Sequence, residues 1–176
     1  MPFRGYTLWE VVVALAVAAI ALSLGAPALE RLRLDVERTS AVNAFVGAVQ
    51  LARSEAAKRA RPVVLCKTVD FERCGGDEIR YDDGYMVFVN EDDVRPPQRS
   101  PAEPLIRAYR PTGRVSISSN RQSFEFRPFR TRSTNGTVTF CDRRGEVAAR
   151  AVVVSYTGRP RIAETGPGRA LTCEPR

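Results

Sequence analysis

The run from Val11 to Leu29 constrains this chain more than any other stretch, because only Ser23, Gly25 and Pro27 in it are not plainly apolar. As a helix it would span about 28 Å, close to the roughly 30 Å hydrocarbon core of a bilayer. Arg4 precedes it, and Arg31 and Arg33 follow. A secretory signal peptide has a shorter apolar core with its small-residue cleavage site beyond that core. Here the polar hinge, Gly5-Tyr6-Thr7-Leu8-Trp9-Glu10, comes first. A carboxylate at the edge of such a run is costly unless something pairs with it. No cation lies within one helical turn on the C-terminal side of Glu10, so a partner from another chain is the expected one.

The order Gly-aromatic-Thr-Leu-x-Glu before a long apolar run resembles the type III signal of type IV prepilins and pseudopilins. The resemblance implies cleavage after Gly5 by a prepilin peptidase, N-methylation of Tyr6, and pairing of Glu10 with a neighbouring subunit's N-terminal amine during assembly. Family members usually carry Phe where this chain has Tyr6. The passage from Leu51 to Cys66, LARSEAAKRARPVVLC, is similar to one in the FimT/GspH class of minor pilins and pseudopilins.

Beyond Pro27 the apolar positions Leu29, Leu32, Val36, Val42, Phe45, Val49, Ala52 and Ala56 recur every three to four residues, with a gap around Thr39. Glu30, Arg31, Glu37, Arg38, Arg53 and Lys58 are expected mostly off that stripe. Pro27 should kink the helix, and Pro62 should end it near Ala60. Leu51, Ala52, Ala56 and Ala60 are expected to face a sheet. The rest reads as short strands: 63–68, 85–89, 105–109, 115–118, 123–127, 137–141, 151–156 and 160–163, the run at Ala151 being central. Asn90 to Pro104 reads as an exposed loop, and Asp82-Asp83 and Glu91-Asp92-Asp93 as solvated turns. The fold class is therefore α+β, a long helix packed on an antiparallel β head. The divisions are a leader at 1–5, a membrane or filament-core half-helix at 6–29, an amphipathic half at 30–60 and a head at 61–176.

The chain has no His, which removes the commonest general base and metal ligand. With no nucleophile elbow and no phosphate-binding glycine loop either, no enzyme and no cofactor are expected. The four cysteines allow three pairings. Cys66–Cys74, closing a short loop, and Cys141–Cys173, tying the tail to a strand, are favoured, and their wide spacings argue against zinc.

The formal charge of +7 is uneven: residues 1–93 hold 11 basic and 14 acidic side chains, residues 94–176 hold 16 and 6. A basic C-terminal half suits a polyanionic partner. Its focus is Ser155-Tyr-Thr-Gly158-Arg159-Pro-Arg161, where two arginines two residues apart project on one side of an extended segment with donors suited to phosphate. The segment resembles the Gly-Arg-x-Arg motif by which FimT-type minor pilins bind DNA in natural transformation, and Gly158, Arg159 and Arg161 all match. Arg143, Arg144 and Arg169, with Arg150 as a further candidate, would extend the surface. Phe129 and Tyr156 are expected in the core, base stacking being the alternative. The partners implied are other pilin subunits, prepilin peptidase, the inner membrane and DNA. The place implied is the inner membrane with the head in the periplasm, then the extracellular pilus. The rival readings are a structural minor pilin or type II secretion pseudopilin that touches no nucleic acid, and a binder of anionic lipid or polysaccharide.

Overall fold

The computed structural model describes residues 5, 7–111, 113–129, 132–142 and 149–164. One helix, α1 (Leu8–Arg59), is followed by eight strands: β1 (Val63–Lys67), β2 (Tyr85–Val89), β3 (Leu105–Tyr109), β4 (Val115–Ser119), β5 (Ser123–Phe126), β6 (Gly136–Asp142), β7 (Arg150–Val154) and β8 (Pro160–Glu164). Thr7 caps α1, with its hydroxyl accepting from the Glu10 N–H while the Glu10 carboxylate accepts from the Thr7 N–H at 2.8 Å. The reciprocal pair satisfies two otherwise orphaned groups at the helix start. The helix runs on through Pro27 and stops where Ala60 turns left-handed, at φ 52°.

From Leu8 to Leu29 no described side chain is buried against the chain itself. The head is gripped by the second half of α1, and here the phase of the stripe differs from expectation. Val42, Phe45, Val49, Ala52 and Ala56 are buried, but so are Leu34 and Arg38, while Leu29, Leu32 and Val36 are more than half exposed. At 100° per residue, positions 34 and 38 fall on the arc of the buried residues, and 29, 32 and 36 lie roughly 150° round the wheel. The two stripes thus face different directions, the inward one beginning at Leu34 before the outward one ends at Val36. Arg38 shares the inward arc and pairs with Asp35 one turn earlier. Ala60, beyond the last helical residue, is exposed.

The strands form two four-stranded antiparallel sheets, ordered β3-β2-β1-β5 and β4-β6-β7-β8. Both turn their inner faces to α1 and share one core. Phe45 is its centre, with its ring edge-on to Tyr81, Tyr85, Phe124 and Phe140 at 5.7–6.0 Å, so that one helical side chain touches both sheets. Burial pushes the Tyr81 and Tyr85 phenols well above their ordinary pKa. Strands β1 and β2 are buried along their whole length because both faces are covered. Behind them Val64, Cys66, Met86 and Phe88 pack on Phe71 and Cys74 of the following loop.

A disulfide joins Cys66 to Cys74. The loop it closes is organised by Asp70, whose carboxylate accepts from the N–H groups of Glu72 and Arg73 at 2.8 and 3.1 Å. The Gln98 amide bonds Cys74 N–H and C=O, docking the 91–104 segment on the same loop. That segment is not uniformly exposed: Glu103 is buried and accepts from the N–H groups of Glu91 and Ser100. Asp82 is likewise buried and ion-paired with Arg80 at 3.3 Å, not a solvated turn residue. The Cys141–Cys173 pairing involves a residue outside those described.

Candidate nucleic-acid interface

Strand β7 lies between β6 and β8, with Val152 and Val154 pointing into the core. It leaves the sheet at Ser155, and the chain reverses within four residues. The Gly158 N–H donates to the Ser155 carbonyl at 2.8 Å, and the Ser155 N–H to the Arg159 carbonyl at 3.1 Å. The Ser155 hydroxyl completes the lock: it accepts from the Arg159 N–H and donates to the Arg159 carbonyl, each at 3.2 Å. Both backbone groups of Arg159 are therefore held by one side chain, a role that spacing alone does not disclose.

Gly158 is required twice over. Its φ of 71° lies in the left-handed region, and a Cβ there would stand 3.0 Å from Ser133 Oγ and 3.1 Å from Phe126 Cδ1. The turn is thus seated on the β5–β6 connection, and the Ser133 N–H donates to the Tyr156 carbonyl at 2.6 Å.

Strand β8 is an edge strand, paired to β7 with Arg161 opposite Val153 and Pro160 opposite Val154. Since Val152 and Val154 face the core, alternation sends Arg161 and Arg159 outward together. Both are exposed, and among the described residues neither guanidinium has an ion-pair partner. Arg132, the residue before Ser133, is exposed and unpaired in the same sense.

Much of the remaining positive charge in the C-terminal half is used internally. Arg127 pairs with Asp93 and Glu125, and the Asp93 bond raises its pKa further. Arg114 reaches Glu30 and Glu37 on α1 at 3.8 Å. Arg150 does not extend the outer surface: its guanidinium donates to the Thr39 hydroxyl at 2.9 Å, strutting β7 against the helix. The outward basic rim thus centres on Arg159, Arg161 and Arg132. Arg143, Arg144, Arg169 and Tyr6 lie outside the described residues.

Phe129 and Tyr156 are not core residues; they are 92% and 60% exposed. Their positions explain it. Phe129 lies three residues beyond Phe126, the last inward residue of β5, and Tyr156 lies beyond the last inward residue of β7, Val154.

A long apolar helix laid across antiparallel sheets is the architecture of a pilin-type subunit, and the solved structures agree. The type IV minor pilin FimU of Pseudomonas aeruginosa matches with a TM-score of 0.52 at 17% identity, over 71% of this chain and 91% of FimU. The minor pseudopilin EpsH from the Type 2 Secretion System of Vibrio cholerae matches with a TM-score of 0.52 at 13% identity, over 76% and 99%. No curated protein matches significantly. The family model for the type II transport protein GspH matches residues 41–158. The chain belongs to that family. The match ends at Gly158, so Arg159 and Arg161 stand just beyond what the family model covers.

Proposed function

We propose that this chain is a membrane-anchored minor pilin whose β7–β8 hairpin binds DNA through phosphate contacts, supporting DNA uptake in natural transformation. The observation that carries the reading is the state of Arg159 and Arg161. They leave a rigid turn together, face outward, and lack described ion-pair partners in a head that otherwise engages many of its arginines. Guanidinium-to-phosphate contact without base readout gives low sequence preference and strong salt dependence.

The remaining parts follow the same reading. Prepilin peptidase cuts after Gly5, Tyr6 is methylated, and the 6–29 half-helix anchors the subunit in the inner membrane before entering the filament core. The 30–60 half and the 61–176 head then lie in the periplasm, and after assembly on the extracellular pilus. Glu10 exchanges its capping bond to Thr7 for a neighbour's amine. The head is structural and binding rather than catalytic.

The test is a chromosomal Arg159→Ala/Arg161→Ala variant in the natural host. Transformation should fall at least about tenfold with pilus number unchanged; normal transformation contradicts the reading. A second reading, a pseudopilin that primes assembly without touching DNA, is favoured by the equal structural likeness to EpsH. Recovery of secretion-system pseudopilins and no pilus components with the tagged protein would select it.

A further inference from the structure

We propose that Phe129 and Tyr156 form a stacking platform beside the arginines, so that the strand this rim prefers is single-stranded DNA with unpaired bases. The proposal rests on the phosphate-binding reading of Arg159 and Arg161 and adds what kind of strand they hold.

Phe129 is the most exposed of the described large apolar side chains, the membrane-length run included. It also sits at φ 56°, in the left-handed region that bulky residues avoid. An aromatic ring held in a disfavoured backbone state while burying almost nothing gains no stability from its own fold. Such strain gathers at binding sites. Tyr156, 60% exposed, stands at the head of the hairpin turn, three residues before Arg159.

The two aromatics belong to one structure. The Ser133 N–H bond to the Tyr156 carbonyl and the packing of Gly158 on Ser133 and Phe126 fix the turn to residues on both sides of Phe129 in the chain. Two residues that flank Phe129 in the chain, Arg127 and Thr134, are both tied to Glu125. Arg127 pairs with the Glu125 carboxylate, and the Thr134 N–H donates to the Glu125 carbonyl at 3.1 Å. Arg132 lies between them with no described ion partner.

Cations alternating with exposed rings are the chemistry of single-strand recognition: guanidiniums track the phosphates while rings stack on bases, whose faces a duplex hides. A purely electrostatic surface has no use for the rings. A protein partner's apolar pocket would accept them, but would leave the unpaired arginines unexplained.

The experiment uses the full-length chain in uncharged detergent micelles, with fluorescence anisotropy on three equally long probes: a thymidine oligonucleotide, an abasic strand and a duplex. Wild type should bind the thymidine strand about tenfold or more tighter than the abasic strand, within the range that one or two stacked bases supply. Phe129→Ala/Tyr156→Ala should lower thymidine binding to the abasic level and leave duplex and abasic binding unchanged. Tyr156→Phe should retain it. Because both side chains are exposed, melting temperatures should not move.

If the aromatic variant binds the thymidine strand like wild type while Arg159→Ala/Arg161→Ala loses all three probes, stacking is overturned and the phosphate reading stands. If wild type binds no probe even at low salt, the phosphate reading fails and stacking fails with it.

Discussion

Gly158 rests against the ring of Phe126, close enough that a single added carbon would stand 3.1 Å from it. The contact joins the exposed hairpin to the shared core, since Phe126 is buried at the end of β5. It also shows that the glycine preceding the arginines sets their backbone rather than meeting a ligand. Replacing it should therefore disturb the fold and the rim together. Gly158→Ala should cost roughly 1–2 kcal/mol from the left-handed backbone alone, read as a lower melting temperature.

The neighbouring arginines should behave in the opposite way. Arg159→Ala and Arg161→Ala remove exposed side chains with no described ion partner, so stability should stay within about 0.5 kcal/mol. Each should reduce the slope of log K against log salt by about one on duplex DNA, whatever its sequence. Urea titration measures the first quantity and a salt series the second.

Phe45 is a side chain on which both sheets close. With its ring buried and set edge-on to four aromatic neighbours, Phe45→Ala should cost about 3–5 kcal/mol. Leu32→Ala, on the outward stripe, should leave thermal stability unchanged and lower incorporation into filaments, measured on sheared pili. Equal loss of stability in the two variants would contradict the division of α1 into two differently facing stripes.

The disulfide loop carries a pH dependence. Backbone N–H groups of Glu72 and Arg73 hold the Asp70 carboxyl below the ordinary carboxylate range. A pKa lowered on folding gives stability that is present above the unfolded value, about 3.9, and lost as pH falls through the folded one. Protection of the Glu72 and Arg73 amides from exchange should therefore hold at neutral pH and collapse in strong acid. In Asp70→Ala it should be low throughout. Removing the bridge with Cys66→Ala/Cys74→Ala should cost about 2–3 kcal/mol for so short a loop, read by urea titration.

Element order was legible because its signals are local. Thr7, Pro62 and the alternation at Phe124/Phe126 and Val138/Phe140 each act within a few residues, and the helix and strands lie where those patterns put them. What escaped depends on distant partners. Arg150 is turned inward by Thr39, 111 residues away. Asp82 is buried beside Tyr81, whose ring packs on Phe45 of the helix and whose hydroxyl donates to the Gln122 carbonyl, 41 residues away. The wheel position of Arg38 was readable in principle, but its charge argued against burial more loudly than its spacing argued for it. At the rim, the arginine pair was readable as a motif. The locking role of Ser155 and the exposure of Phe129 and Tyr156 were not, since they arise where the β5–β6 connection meets the hairpin.

The most direct measurement is binding of duplex DNA by the full-length protein in uncharged detergent, titrated from low to physiological salt beside Arg159→Ala/Arg161→Ala. Affinity should fall linearly in log salt for wild type and be lost in the folded double variant. Equal binding by the two proteins, or none by wild type at low salt, would contradict the phosphate reading.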